Sequence, residues 1–128
     1  MYAAGAPHAL RDACRGALAR AVELRAVFVT DSEVLQEILY RYFSIRKPEV
    51  AQAVYGAAVD LCTRILPVRE SDTARALQLL MENPSLAPRD AVHVATMEAA
   101  GVKRILSTDR DFDGLKEIER IDPRHFLA

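Results

Sequence analysis

The chain has 128 residues, 51% of them hydrophobic, enough for a single compact domain over 1–128 with a buried core and too few for a second. Its 17 basic residues stand against 18 acidic ones, so no global field draws it to nucleic acid, and a polyanionic substrate would have to be held by metal ions or a local basic patch. No apolar run reaches the length of a membrane span and no basic-then-apolar leader opens the chain, which predicts a cytoplasmic protein without a membrane partner.

Met1 to Pro7 is too short and too rich in Gly, Ala and Pro to make a convincing strand. His8 to Leu24 carries apolar residues at helical spacing, and Ala26 to Val29 then turns β-prone. Thr30-Asp31-Ser32-Glu33 reads as a capping box with Thr30 as N-cap, opening a helix whose stripe is Val34, Leu35, Ile38, Leu39 and Tyr42. A second helix is predicted from about Pro48 to Thr63. Ile65 to Val68 follows as a short strand whose proline suggests an edge, then Ser71 to Glu82 as an amphipathic helix, then a turn at Asn83-Pro84-Ser85.

The next helix starts at Pro88, is apolar nearly all round to Ala100, and stops at Gly101. Arg104 to Ser107 reads as a buried strand, with Thr108 and Asp109 at its carboxyl end, where open α/β sheets place their ligand crevice. A last strand-like run lies near Ile118 to Ile121. Strands alternating with helices predict a parallel sheet covered by helices on both faces. Cys14 and Cys62 have no metal-ligand spacing and read as buried reduced thiols.

The acids each carry two readings. Glu33 is explained by the capping box. Glu37 either points from the helix into a site or pairs on the surface with Arg41 one turn on. Asp90, near the third position of an apolar helix, either caps the helix or faces a cleft. Asp109, Asp111 and Asp113 share one turn and either bind a ligand or nucleate the turn through backbone contacts. His93 is either a proton carrier in the same cleft as Asp90 or a satisfied core residue. Carboxylates without paired Cys or His ligands suit Mg²⁺ or Mn²⁺ rather than zinc, and the chemistry such a cluster serves is phosphodiester hydrolysis by a water that the ion activates. No GxSxG elbow, GxxxxGK[ST] loop or GxGxxG turn competes with that reading.

Three segments, TDSEVLQEILYRY around Glu37, PRDAVHVATMEAAGV around Asp90 and ILSTDRDF around Asp109, together resemble the PIN-domain ribonucleases, specifically the VapC-type toxins of toxin–antitoxin pairs. The resemblance runs from about Tyr2 to the C-terminus. It implies a three-layer α/β sandwich whose parallel sheet, ordered 3-2-1-4-5, is flanked by helices. It makes Glu37, Asp90 and Asp109 the second, third and fourth acids of a Mg²⁺ or Mn²⁺ site, with Thr108 supporting them and Asp111 and Asp113 as neighbours able to assist. It also implies an RNA substrate, a cognate antitoxin and a homodimer.

One departure stands out. The family begins with an apolar strand ending in an aspartate, and neither Asp12, within a helix, nor Asp31, after a strand, matches that first acid. The expectation is therefore a fold without its first strand, explained foremost by a start assigned too late, with strand addition by another chain or segment and a decayed copy as the competing explanations. Two functions follow: a metal-dependent endoribonuclease cutting single-stranded or structured RNA, or a PIN-like binding module that keeps dimer and antitoxin contacts but holds metal too weakly to cut.

Overall fold

Asp31 decides where the first strand ends and the first helix begins. In the computed structural model, which describes residues 27–126 together with Gly16, Ala19, Arg20 and Glu23, strand β1 spans Val29–Asp31 and helix α1 spans Ser32–Ser44. Asp31 holds extended backbone, and its carboxylate accepts a hydrogen bond from the Val34 amide at 2.9 Å, which makes it the N-cap. This corrects the capping box assigned to Thr30. Parallel pairing with strand β2 (Arg64–Leu66), in the register Thr30↔Ile65 and Asp31↔Leu66, keeps the chain extended through Asp31, so the cap falls one residue later. The four described residues before Val27 are helical, as the spacing over His8 to Leu24 predicts. Cys14, Asp12, the Met1 to Pro7 run and the rest of the His8 to Leu24 stretch lie outside the described residues.

Residues 28–102 form one compact unit. Helix α2 (Pro48–Leu61) begins with proline at its first position, where a missing N–H costs nothing, after a linker in which Arg46 takes a left-handed backbone (φ 57°). The β1–β2 pairing is prolonged by Thr63, whose amide and hydroxyl both donate to the Phe28 carbonyl, and Ser32 Oγ accepts from the Val68 amide just past β2. Helix α3 (Glu70–Glu82) starts where the buried Asp72 carboxylate accepts from the Arg69 amide at 2.8 Å. Helix α4 (Pro88–Ala100) packs on α3, and α1 packs on α2. Ala76 and Leu79 of α3 and Ala91, Val94 and Ala95 of α4 are buried in the core. The guanidinium of Arg75 bonds Glu98 at 2.8 and 3.4 Å, tying α3 to α4 near the surface.

Residues 103 onward belong to the other unit. Strand β3 (Arg104–Leu106) pairs in parallel with β4 (Glu119–Ile121), and a 3₁₀ turn at Arg110–Gly114 leads between them, with Phe112, Leu115 and Ile118 buried. Arg120 donates twice to Asp113, at 2.7 and 3.2 Å, and once to the Ser107 carbonyl, while Arg124 bonds Asp122. Helix α5 (Pro123–Phe126) follows. The described strands thus make two parallel pairs, β1–β2 and β3–β4. Both pairings are parallel, as the alternation of strands and helices predicts. Among the described residues no helix is long and apolar enough to cross a membrane.

Gly101 closes α4 in the left-handed region (φ 71°), and the Val102 amide returns to the Met97 carbonyl at 2.9 Å. A Cβ at this position would meet nothing within 4 Å, so an alanine there is strained only through its backbone. Gly101→Ala should therefore cost about 1 kcal/mol, read as a lower urea midpoint with unchanged slope. An unshifted midpoint would contradict the cap.

Candidate active site

Helix α4 is apolar enough to be buried, and the polar residues it carries on one face, Asp90, His93 and Thr96, follow one another at three-residue spacing. Burial obliges the last two to find partners. His93 Nδ1 lies 2.6 Å from Asp31 Oδ2 at the end of β1, and its Nε2 lies 3.2 Å from Glu37 Oε1 on α1. Thr96 Oγ1 donates to the same Asp31 Oδ2 at 3.1 Å. The imidazole is thus clamped between two carboxylates, with side-chain exposures of 13% for His93, 6% for Asp31 and 26% for Glu37. Arg89, largely exposed, brings its Nε to 3.4 Å from the same Glu37 oxygen.

Burial works against the imidazolium, but the hydrogen bonds to Asp31 and Glu37 and the charges of both acids outweigh it, and the His93 pKa is raised to about 9. Burial likewise works against the Asp31 carboxylate, and the His93 hydrogen bond and charge, with bonds from Val34 and Thr96, outweigh it to hold Asp31 below its ordinary value. At neutral pH both ring nitrogens of His93 therefore carry protons and donate.

Glu37 keeps one oxygen for other work. The His93 hydrogen bond and the closest approach of Arg89 both fall on Oε1, and Oε2 accepts no hydrogen bond from the described residues. Asp31, by contrast, is used on both oxygens, Oδ1 by Val34 and Oδ2 by His93 and Thr96. Asp90 is the third residue of α4, half-buried, where unpaired amides and the helix dipole favour a carboxylate. Glu37 and Asp90 belong to one compact unit and Asp109 to the other.

Asp109 is the N-cap of the 3₁₀ turn, accepting from the Asp111 amide at 2.9 Å, while its own amide donates to Ser107 Oγ. Thr108 is half-buried after β3, Asp111 is exposed, and Asp113 is committed to Arg120. Carboxylate oxygens are the donors that Mg²⁺ and Mn²⁺ take, so the chemistry of Glu37, Asp90 and Asp109 suits such an ion. Among the described residues, however, no three His, Cys, Asp or Glu side chains already stand together as a ligand set.

The model of the PIN domain matches residues 1–118. The chain belongs to the PIN-domain family. Relatives of this PIN-domain chain include ribonuclease VapC13 of Mycobacterium tuberculosis, 35% identical over 121 residues that cover 94% of this chain and 92% of the relative. Ribonuclease VapC7 of the same species is 32% identical over 96% of this chain and 86% of its own length, and ribonuclease VapC23 is 34% identical over 85% and 86%. No solved structure matches.

One participant in this cluster was misplaced by the sequence reading and another was left with two readings. Asp31 was placed after the strand, inside the box that Thr30 was read as capping, and it ends that strand and caps the helix instead. His93 carried two readings, and the structure places it against Glu37, so the Glu37–Arg41 surface pair is not the contact that holds Glu37. The signal available in the sequence was the Asp90, His93, Thr96 stripe on an otherwise apolar helix.

The shifted groups fix a pH dependence of stability. His93 titrates near 6.5 when unfolded and about 9 when folded, so its stabilisation is complete below about pH 6.5 and is lost as pH rises through about 9. The Asp31 contribution is present above its ordinary 3.8 and is lost as pH falls through its lower folded value. Calorimetry of wild type against His93→Gln should show a gap on the order of 2–3 kcal/mol between about pH 4 and 6.5 that shrinks towards pH 9.5. A gap independent of pH would contradict the clamp.

Proposed function

We propose that this chain is the toxin ribonuclease of a toxin–antitoxin pair, an endonuclease that cuts single-stranded or structured RNA with Mg²⁺ or Mn²⁺ held by Glu37, Asp90 and Asp109. The observation that carries this reading is similarity, over nearly the whole chain, to relatives that are themselves named ribonucleases. The open Oε2 of Glu37 supports it, since a carboxylate anchored through one oxygen presents the other to a cation.

A bound divalent ion would supply the Lewis acidity that activates water and offsets charge on the scissile phosphate. The chain's part is to place hard oxygen donors. Glu37 is oriented by His93, Asp90 by the first turn of α4, and Asp109 by the 3₁₀ turn it caps. Thr108 and Asp111 support Asp109 from adjacent positions. Asp113 has a smaller part because Arg120 already engages both its oxygens. The same family reading makes the working protein a cytoplasmic homodimer that a cognate antitoxin blocks.

A second reading is favoured by the absence of a three-ligand set among the described residues: a PIN-like binding module that keeps dimer and antitoxin contacts without cutting. RNA cleavage separates the two. With Mg²⁺ or Mn²⁺ the chain should cut RNA, EDTA should stop it, and Asp90→Asn or Asp109→Asn should lower the rate beyond the roughly 10- to 100-fold cost of losing an outer contact. Equal rates in those variants remove the site assignment. No cleavage under any metal favours the binding module.

A further inference from the structure

We infer that His93 is a positioning residue for Glu37: anchored on Asp31 Oδ2, which also accepts from Thr96, it pins Glu37 Oε1 and thereby presents Oε2 to a divalent cation. This rests on the reading that Glu37 is a metal ligand. Three observations carry it. The ring is fixed at both ends, 2.6 Å from Asp31 and 3.2 Å from Glu37, so its orientation is not free. Asp31 spends both oxygens on the backbone of Val34, on His93 and on Thr96, so it acts as an anchor rather than as a donor to a cation. Glu37 sits on a different element from either, and without a fixed contact its long side chain would sample several rotamers before meeting an ion.

Arg89 approaches the same Oε1, but from a side chain that is 64% exposed, and it holds Glu37 only loosely.

The test is Mn²⁺ binding to the full chain, followed by the loss of the free-ion signal in electron paramagnetic resonance, with thermal unfolding as the control for folding. Glu37→Gln comes first: if the wild type binds no Mn²⁺, or if Glu37→Gln binds it as the wild type does, the ligand reading fails and the positioning role falls with it. If Glu37→Gln loses binding, His93→Leu should weaken Mn²⁺ affinity roughly 10- to 100-fold, as loss of an orienting partner does, and His93→Gln, whose amide can still donate to Glu37, should recover most of it. Wild-type affinity in a folded His93→Leu chain would overturn the inference while leaving Glu37 a ligand, and so would a His93→Gln chain no better than His93→Leu. Should His93→Leu fail to fold, Asp31→Asn decides, since asparagine still caps α1 but offers no charge to the ring: a fall of about tenfold supports the inference and wild-type affinity overturns it.

Discussion

The interaction on which this molecule turns is the imidazolium of His93 held between two carboxylates. Charge in a buried place is costly unless it is matched and hydrogen-bonded, and here each partner supplies what the others lack. The ring has two donors and meets two acceptors. Asp31 has two oxygens and is satisfied by the amide of Val34, the ring and the hydroxyl of Thr96. Taking away either acid would leave a ring N–H of His93 without its acceptor, which costs more than the lost bond itself.

That clamp joins three elements that the backbone alone would connect weakly. β1 contributes Asp31, α1 contributes Glu37 and α4 contributes His93 and Thr96. The strands are only three residues long, so their ladders hold few hydrogen bonds, and much of the order in this unit must come from helix packing and from side-chain bonds of this kind. The small residues of α4 set the distance. Ala91, Val94 and Ala95 bury the helix without bulk, and His93 is then near enough to reach both acids directly.

The helices were readable because their causes are local. Pro48 and Pro88 mark helix starts, Gly101 marks a stop, and the apolar spacing between them gave α2, α3 and α4 to within a few residues. The N-cap of α1 was misplaced for the opposite reason. Whether Thr30 or Asp31 caps the helix depends on how far β1 pairs with β2, and Leu66, the partner of Asp31, lies far along the chain. The site was legible in part. Glu37, Asp90 and Asp109 stood out as acids in apolar or strand-end settings, whereas His93 and Asp31 are separated by 62 positions and no local pattern joins them. The Arg120–Asp113 pairing was hidden in the same way, since a strand and a 3₁₀ turn bring it about.

Asp31 serves two masters with its two oxygens. Oδ1 starts α1 and Oδ2 grips the imidazole, so the first turn of that helix and the orientation of Glu37 one turn further on share a single hinge atom group. Fraying at the helix entrance would swing the carboxylate away and release the ring, and release of the ring would in turn loosen the entrance. Hydrogen exchange at the Val34 amide is accordingly a reporter on the order of the His93 clamp, although Val34 itself does not touch the ring.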